Sequence, residues 1–523
     1  MTATLDGSRT KPGRDGFTQT LRAEWHKFLT VRGWVIGMIV GALAIVALGL
    51  GPGATGSCGM NGPASDCTQT LGPGGEPVTD SFYFVHQPLD GNGSITVRVT
   101  ALTGRIPDFS GGGGASAGPQ TRDGLVPWAK AGIIIKASTR QGSAYAAMMI
   151  TGSHGVRMQY DYTGDVPGIA GSVSAASPRW LRLTRSGDTL TGYDSDDGIH
   201  WAKVAAATLT GLPTTVQGGL FATSPPYTQL SMGQLALNIG NSQATGTFDH
   251  ASLRGAWPGG AWDGSAIGAP GGPAAGSPGG FTDAAGRLTV TGTGDIAPSV
   301  SGASGLGVTI EQTLIGVFAG LIAVAVVGAM FMTAEYRRGL IRVTFAATPG
   351  RGRVLAAKAI VIAAVTFAVG LVSATLVVTF GQRVLRDHGV YVWPATALTE
   401  VRVIVGTAAV LAVAAVIALA IGAMLRRSAG AVAAVIVVIV LPYLLTVTTP
   451  ILPAGPTDWL ARVTPTAAFA VQQTLIQYSQ VSNVYTPSAG YWPLSPWAGF
   501  AVLCAWAVVA LGLAAYLLNR RDA

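Results

Sequence analysis

Runs of apolar residues long enough to cross a membrane flank a long stretch of short amphipathic segments in this chain. A helix needs about 20 residues to cross the hydrocarbon core of a bilayer. Six runs come close to that length or exceed it, and they predict six transmembrane helices. The predicted spans cover residues 34–51, 307–333, 359–380, 401–424, 430–449 and 497–518.

The stretch at residues 80–254 follows a different pattern. Ile95 and Val97 alternate with polar residues, as in a strand that buries one face. Many such short segments, separated by Gly, Pro, Asp and Ser, predict an all-β sandwich. Residues 255–280 are rich in Gly, Pro and Ala, and this composition predicts a linker. A further strand is expected at residues 286–292.

Composition and charge agree with a membrane protein. Hydrophobic residues make up 49% of the 523 residues and charged residues only 11%, with a mean hydropathy of +0.43. This composition excludes a wholly soluble enzyme and simple disorder. The formal net charge is +8, but residues 52–305 carry 13 basic and 16 acidic side chains against 20 and 9 elsewhere. Because the basic excess belongs to the apolar part, it indicates membrane topology and not nucleic-acid binding.

The Lys and Arg residues of the apolar part concentrate on one side of the predicted spans, and that side is cytoplasmic. Both termini are therefore predicted in the cytoplasm of a multi-pass cell-membrane protein, with residues 52–305 extracellular. The first apolar run starts late and has no clear small-residue cleavage site, so we expect no cleavable signal peptide. The basic residues predicted to be cytoplasmic are Arg9, Lys11, Arg14, Arg22, Lys27, Arg32, Arg337, Arg338, Arg342, Arg351, Arg353, Lys358, Arg426, Arg427, Arg520 and Arg521.

The three cysteines fit this topology. Cys58 and Cys67 fall in the predicted extracellular segment, where a disulfide between them would close a small loop. Two free thiols are the alternative. Cys504 lies in the sixth span, where a cysteine behaves as a small apolar side chain.

Several segments of the predicted sandwich resemble strands of bacterial concanavalin A-like (laminin G-like) jelly-roll domains. They are residues 127–138 (PWAKAGIIIKAS), 180–187 (WLRLTRSG), 193–201 (YDSDDGIHW) and 247–253 (TFDHASL). The resemblance implies a jelly roll over about residues 80–254. Such domains often bind carbohydrate, and some occur in glycosidases.

The sandwich contains candidate glycan-binding residues. Tyr160, Tyr162 and Trp201 are aromatic side chains suited to stacking on sugar rings, although such residues more often belong to the core or rim of a sandwich. Catalysis is not expected. The Glu-x-Asp-x-Glu strand motif of laminarin-type glucanases is absent, and no pair of carboxylates suited to glycoside hydrolysis stands out.

Three aspartates in one loop invite comparison with a calcium site. Asp194, Asp196 and Asp197 precede Gly198, and carboxylates in a tight loop suit a hard cation. No Glu closes a full twelve-residue calcium loop, however. The alternative is a β-hairpin whose turn is Asp197-Gly198. We favour the turn and expect no bound metal.

Two predicted cytoplasmic segments have apolar faces of their own. Within residues 17–32, apolar residues recur at helical spacing among basic ones, namely Phe17, Leu21, Trp25 and Phe28. This pattern predicts an amphipathic helix at the membrane interface. The segment at residues 334–358 also has apolar residues at helical spacing and then breaks at Thr-Pro-Gly. This second pattern predicts a short surface helix followed by a turn.

These segments and the six spans resemble permeases of the ABC type 2 exporter family. The loop after span two matches the pattern Glu-Tyr-Arg-x-Gly-x-Ile-Arg, then Ala-Thr-Pro, then Arg-x-x-Leu-x-Ala-Lys, and residues 460–468 resemble the outer helical hairpin before the last span. The resemblance implies a coupling helix that docks on a separate ATPase and a dimer of permease halves. The residues that it implies for docking are Glu335, Tyr336, Arg337, Arg338 and Arg342.

No Gly-x-x-x-x-Gly-Lys-Ser/Thr run occurs in the sequence. We therefore expect no ATP hydrolysis and no cofactor in this chain, with ATP and Mg bound by the partner ATPase. The long insertion between spans one and two departs from the family, but insertions in surface loops cost little. The expected domains are a cytoplasmic N-terminus with an interface helix (1–33), the first span (34–51), an extracellular region (52–305), and five spans with a coupling segment at 334–358 (306–523).

The leading hypothesis is an exporter permease whose extracellular sandwich binds glycan or substrate. Its expected partners are an ATPase, a second permease, the lipid bilayer and cell-surface glycan, but not nucleic acid. The alternative is a non-transport, membrane-anchored surface receptor with a carbohydrate-binding domain, for which one span would be sufficient. Glu311 and Arg402, near the outer ends of spans two and four, are hypothesised to pair, and Pro442 is expected to kink span five.

Overall fold

A computed structural model describes residues 16–54, 69–109, 120–231, 236–268, 279–301, 307–337, 339–347, 350–447, 454–482 and 485–520. These residues form two compact units. The membrane unit is built from the described residues of 16–54, 307–475 and 485–520, and the β unit from those of 69–301 and 476–482. The β unit therefore includes a short segment from between spans five and six. Cys58 and Cys67 lie outside the described residues, so their disulfide stays a prediction.

Six helices in the described parts of the chain are long and apolar enough to cross a membrane. Each of them lies on one of the six predicted runs, so the prediction of a polytopic α-helical membrane protein is confirmed. We number them as spans one to six. They are Arg32–Gly51, Ile310–Arg337, Arg351–Asp387, Ala397–Leu425, Ser428–Val447 and Pro496–Arg520.

Some spans consist of more than one helical segment. The α-helices are α1 (Phe17–Thr30), α2 (Arg32–Ala54), α3 (Ile310–Thr313), α4 (Val317–Arg337), α5 (Leu340–Ala347), α6 (Arg351–Leu376), α7 (Gln382–Asp387), α8 (Ala397–Leu425), α9 (Ser428–Val435), α10 (Leu441–Val447), α11 (Ala454–Val463) and α12 (Pro496–Arg520). Spans three and five each contain a π-helical turn, at Val377–Gly381 and Ile436–Val440. The second turn ends two residues before Pro442, whose missing N–H group cannot continue a regular α-helical ladder.

Span four is the most buried of these helices. Of the residues in its apolar 18-residue stretch, 72% are buried, against 28% for the corresponding stretches of spans one, five and six. Small residues bring it close to span two: a Cβ atom on Gly328 would lie 2.6 Å from the carbonyl oxygen of Ala415, and one on Gly422 would lie 2.8 Å from that of Ala329. Such contacts through small residues are typical of helix association within membranes.

Replacing Gly328 with leucine should push spans two and four apart. The obstructing atom is a backbone oxygen, which cannot move aside like a flexible side chain, so we expect a loss of stability of about 1–3 kcal/mol. Thermal unfolding of the detergent-solubilised protein measures this loss. Gly33→Leu is the control, because nothing lies within 4 Å of a Cβ atom there. Equal melting temperatures for the two variants would contradict the close packing.

The β unit is a sandwich of two antiparallel sheets, as predicted. Its strands are β1 (Val78–Asp80), β2 (Phe82–Asp90), β3 (Gly93–Pro107), β4 (Thr121–Asp123), β5 (Lys130–Lys136), β6 (Tyr145–Thr151), β7 (Val156–Tyr160), β8 (Gly164–Pro167), β9 (Arg179–Ser186), β10 (Thr189–Ser195), β11 (Ala202–Thr208), β12 (Thr215–Thr223), β13 (Tyr227–Ser231), β14 (Ala236–Gly240), β15 (Gln243–Gly255), β16 (Asp263–Ile267), β17 (Gly279–Ala284), β18 (Arg287–Gly292) and β19 (Ile296–Pro298). The first sheet has the order β11-β10-β9-β3-β15-β18-β17, with β4 on β3, and the second has the order β16-β2-β12-β5-β6-β7-β8. The short pairs β1-β19 and β13-β14 complete the unit.

The core of the sandwich follows the alternation seen in the sequence, since Ile95 and Val97 are fully buried. The prediction of a linker at residues 255–280 was wrong in part, because β16 lies inside that segment and pairs with β2. β16 contains Asp, Gly, Ser and Ala, which have low strand propensity, so the neighbouring strand and not the local sequence makes it a strand. β17 and β18 extend the first sheet, and β18 confirms the strand expected at residues 286–292.

Two buried ion pairs hold the strands through which the chain enters and leaves the β unit. β5 begins at Lys130 and ends at Lys136, and both side chains are fully buried. Lys136 Nζ lies 2.7 Å from Asp80 Oδ2 and Lys130 Nζ lies 2.6 Å from Asp295 Oδ1. Burial lowers the pKa of Lys136 in spite of its carboxylate partner. Asp80 is the last residue of β1, and Asp295 directly precedes β19. We call β1 and β19 the root strands.

Candidate functional site

Four charged side chains meet where α1 packs against the ends of spans two and three. Lys358 Nζ, on α6, lies 2.7 Å from Glu24 Oε2 of α1 and 2.8 Å from Glu335 Oε1 of α4. Lys27 Nζ, also on α1, lies 3.0 Å from Glu24 Oε1 and 2.5 Å from Glu335 Oε1. The Lys358 side chain is fully buried and both carboxylates are 3% exposed. We call these four residues the charge cluster.

Helical spacing on α1 explains why a charge points inward. Glu24 and Phe28 are one turn apart and are the buried residues of this helix, because side chains at i and i+4 share a face. Trp25 lies on another face and is 40% exposed. Phe28 packs on Phe331 and Trp34, with ring centres 5.5 and 5.9 Å away. The apolar face of α1 therefore carries Glu24 into the membrane unit.

The charge cluster is neutral as a whole, with two positive and two negative side chains. Buried charges are tolerated when each is closely paired. Lys358 Nζ also lies 4.4 Å from the centre of the Phe331 ring, which adds a cation–π attraction. Burial alone would lower the pKa of Lys27, but Glu335 and Glu24 together raise that pKa above its usual value, so Lys27 is charged at neutral pH. The cluster thus ties α1, span two and span three together at one end.

α5 follows the cluster end of span two and has an exposed surface. Ile341 is buried, whereas Leu340 and Val343 are 47% and 68% exposed, and Arg342 is exposed as well. This is the short amphipathic helix predicted within residues 334–358. Exposed apolar side chains beside arginine are typical of a surface that binds a protein partner.

The structure divides the residues predicted to dock an ATPase into two groups. Arg337 and Arg342 are exposed. Glu335 faces inward in the charge cluster, and Tyr336 is half-buried. Arg338 lies outside the described residues. Docking by these residues stays a prediction, and Glu335 can contribute to it only by holding the exposed residues in place.

Glu24, Lys27 and Lys358 were missed by the reasoning from sequence. One signal was available, because Glu24 interrupts the apolar face that Leu21 and Phe28 form on α1. A charge on the buried face of a helix needs a buried partner. Nothing in the sequence, however, identifies Lys358 as that partner among the many basic residues of the loop after span two.

Glu311 and Arg402 do not form the direct ion pair that we hypothesised, so that hypothesis was wrong. The Thr474 hydroxyl donates a 2.6 Å hydrogen bond to Glu311 Oε2. Arg402 instead donates to the backbone carbonyl of Gln473. The two charged side chains are therefore connected through consecutive residues of one segment, which lies between spans five and six and was not expected to reach them.

The three aromatic residues predicted to bind glycan do not form one platform. Tyr162 is 1% exposed and its hydroxyl donates to Asp80, so its ring cannot stack on a sugar and its inclusion was wrong. Tyr160 lies in the second sheet, whereas Trp201 precedes an edge strand of the first. The Arg182 guanidinium lies 3.8 Å from the centre of the Trp201 ring. Glycan binding at Tyr160 and Trp201 stays a prediction.

The three aspartates considered as a calcium site make separate contacts. Asp194 is buried and accepts a backbone N–H, while Asp196 pairs with Arg179. Asp197 accepts two backbone N–H groups in the tight turn that contains Gly198, whose φ is +75°. Among the described residues no group of three or more His, Cys, Asp or Glu side chains is placed to hold a metal ion.

Comparison with known proteins gives a clear result for the second part of the chain. A family model described as "ABC-2 family transporter protein" matches residues 193–523. No protein with a curated description matches the sequence.

Solved structures that match part of the chain have low similarity to it. A functionally unknown protein from Saccharomyces cerevisiae is 15% identical, with 33% of this chain and 75% of that chain covered and a TM-score of 0.21. Two structures of scytalido-glutamic peptidase are 8% and 9% identical, with 40% of this chain and 98% of those chains covered. Their TM-scores of 0.25 and 0.23 support no argument about function.

Proposed function

The chain belongs to the ABC-2 transporter family, and we propose that it is the permease subunit of an ATP-driven exporter whose ATPase is a separate polypeptide. The alternative of a surface receptor explains neither this membership nor the need for six spans. The ATPase would bind ATP and Mg, since this chain has no phosphate-binding glycine loop. A second permease half would complete the transport pathway.

The arrangement of α5 beside the charge cluster supports this proposal best. α5 offers a partner exposed apolar and basic side chains. Only two residues separate the end of α4 at Arg337 from the start of α5 at Leu340, so a displacement of α5 acts directly on span two. The charge cluster then couples span two to α1 and span three through Glu335, Lys358 and Glu24. A partner that moves α5 would thus move three helices together.

The proposed topology places α1, α5 and both termini in the cytoplasm and the β unit outside the cell. The basic residues support this orientation. The segments that make up the β unit also agree with this orientation, because residues 476–482 belong to the unit together with residues from between spans one and two. A segment between spans five and six lies on the same side as one between spans one and two when the spans alternate in direction.

Reversing the two exposed arginines tests the docking surface. We expect Arg337→Glu with Arg342→Glu to reduce co-purification of the ATPase by about tenfold or more, because like charges at an interface are strongly unfavourable. Folding should be unaffected, since both side chains are exposed. The measurement is affinity purification of the full chain from mild detergent, followed by quantitative mass spectrometry.

Arg462→Glu is the matched control for this experiment. Arg462 is a half-exposed arginine on α11, between spans five and six, on the opposite side of the membrane in the proposed topology. This variant should retain its ATPase. If the double variant co-purified with as much ATPase as Arg462→Glu, the ATPase would not dock at α5.

A further inference from the structure

A cleft with a volume of about 300 Å³ opens in the β unit beside the root strands. Parts of its wall come from residues 69–81, which follow span one in the chain, and from residues 293–299, which precede span two. Val481 and Ser482, from between spans five and six, also line it, together with residues from other loops of the β unit. A ligand in this cleft would therefore contact every described segment that leads from the β unit toward a span.

The wall of the cleft combines polar and apolar surface, and lysines outside the lining neutralise its two acidic residues. Eleven of its twenty residues have a hydroxyl or amide side chain. Asp80 and Asp295 are its acidic residues, and each is paired with a buried lysine of β5. No basic or aromatic residue is among the described residues that line it. Hydroxyl and amide groups beside apolar surface favour a neutral ligand that carries hydroxyl groups on an apolar ring over an ion.

Three polar atoms of the lining residues have no hydrogen-bond partner in the protein. They are Asp80 Oδ1, Ser81 Oγ and Thr293 Oγ1. All three atoms are buried, and a buried polar atom without a partner costs free energy, so a ligand that formed hydrogen bonds to them would recover that cost. Their neighbours are satisfied within the fold, as the 2.6 Å contact between the hydroxyls of Ser224 and Ser242 shows.

The segment at residues 476–482, which we call the strap, is held firmly at this cleft. Val481 packs against Ala297 in a small apolar cluster. Gln480 Nε2 donates a 3.2 Å hydrogen bond to the carbonyl oxygen of Thr163. Both strap residues are buried. The position of the strap and the shape of the cleft therefore depend on each other.

We propose that this cleft binds a sugar unit, either free or at the end of a surface glycan, and that the bound sugar holds the strap against the root strands. The volume lies at the lower end of the range for small-molecule sites, about 300–1,000 Å³, which suits one sugar ring. Asp80 Oδ1 accepts hydrogen bonds from the sugar hydroxyls, and the hydroxyls of Ser81 and Thr293 donate to them or accept from them. The consequence for transport rests on the permease function proposed above, because the strap precedes span six in the chain.

Calorimetric titration of the full chain in nanodiscs with glucose and with N-acetylglucosamine tests binding. The double variant Ser81→Ala, Thr293→Val removes two hydroxyls that make no bond in the fold. Without sugar, its melting temperature should therefore be at least as high as that of the parent, while its affinity for sugar should fall about tenfold. Thr189→Val in the first sheet, away from the cleft, is the matched control and should bind normally.

Hydrogen exchange of the strap provides a second readout. Sugar should slow exchange of its amides, and Ser482→Trp, which fills the cleft, should abolish both binding and protection. Capture on an immobilised glycan array without binding of the free sugars would identify a glycan end as the ligand. The proposal is overturned if neither form binds, if trialanine binds in their place, or if Ser482→Trp leaves sugar binding unchanged.

Co-purification of the ATPase from the same preparations separates this inference from the proposed function. An ATPase that co-purifies with a chain that binds no sugar would refute the sugar site alone. Sugar binding by a chain that retains no ATPase would refute the exporter proposal alone.

Discussion

Lys358→Ala is expected to release α1 from the ends of spans two and three and to destabilise the membrane unit by about 3–5 kcal/mol. Lys358 is the fully buried cation of the charge cluster, and its Nζ atom contacts both Glu24 and Glu335. Its removal leaves two buried carboxylates that share only Lys27. Since Lys27 is one-third exposed, it holds them less firmly.

Thermal unfolding in detergent and limited trypsin digestion measure these effects. We expect a lower melting temperature and faster cleavage at Arg22 and Lys27 of α1, together with loss of the ATPase. Arg353→Ala is the matched control, because Arg353 is an exposed basic residue of the same helix. The charge cluster would have no structural role if both variants melted and were cleaved alike.

A compensating variant separates the loss of charge balance from the loss of packing. Replacing Lys358 with methionine and both Glu24 and Glu335 with glutamine removes every fully buried charge together. Buried ion pairs exchanged for neutral groups of similar volume often cost little stability. We therefore expect this triple variant to regain most of the stability that Lys358→Ala loses. A triple variant as unstable as the single one would point to packing alone.

Lys136→Met is expected to destabilise the β unit by about 3–5 kcal/mol, because Asp80 is then buried without a cation. The remaining donors to Asp80 are the Tyr162 hydroxyl and the backbone N–H of Gly142. Since Asp80 ends the first root strand, we expect the β1-β19 pair to loosen before the sandwich unfolds. Urea unfolding of the full chain, followed by tryptophan fluorescence, measures the loss.

Two further variants test whether the destabilisation comes from the loss of the buried ion pair. Lys203→Met removes an exposed lysine of β11 and should leave the unfolding midpoint unchanged. Lys136→Met combined with Asp80→Asn removes both charges and should recover part of the loss. Equal midpoints for Lys136→Met and Lys203→Met would show that the buried pair does not stabilise the root strands.

Both expected effects come from charges whose partners are far away in the sequence. Glu24 and Lys358 are 334 residues apart, and Asp80 and Lys136 are 56 apart. The pattern of the chain shows that Lys130 and Lys136 bracket an apolar strand, but it does not say what neutralises them. Each pairing depends on how helices or sheets pack.

The sequence by itself determined the six spans and the all-β region, because both rest on local periodicity. Twenty apolar residues can satisfy their backbone in a bilayer only as a helix, and alternation every second residue suits a sheet with one buried face. The amphipathic α1 and α5 were predicted for the same reason. The resemblance of the loop at residues 334–358 to an exporter permease agreed with the family to which the chain belongs.

Only the tertiary structure decided which side chains meet. It buried Tyr162 and Glu335, made a strand of the weakly β-forming residues 263–267, and gave Glu311 and Arg402 hydrogen bonds to Thr474 and Gln473 in place of a direct ion pair. It also brought the strap from between spans five and six to the cleft beside the root strands. Local pattern states what each segment can form, whereas the free energy of burying a polar group depends on neighbours that packing supplies from distant parts of the chain.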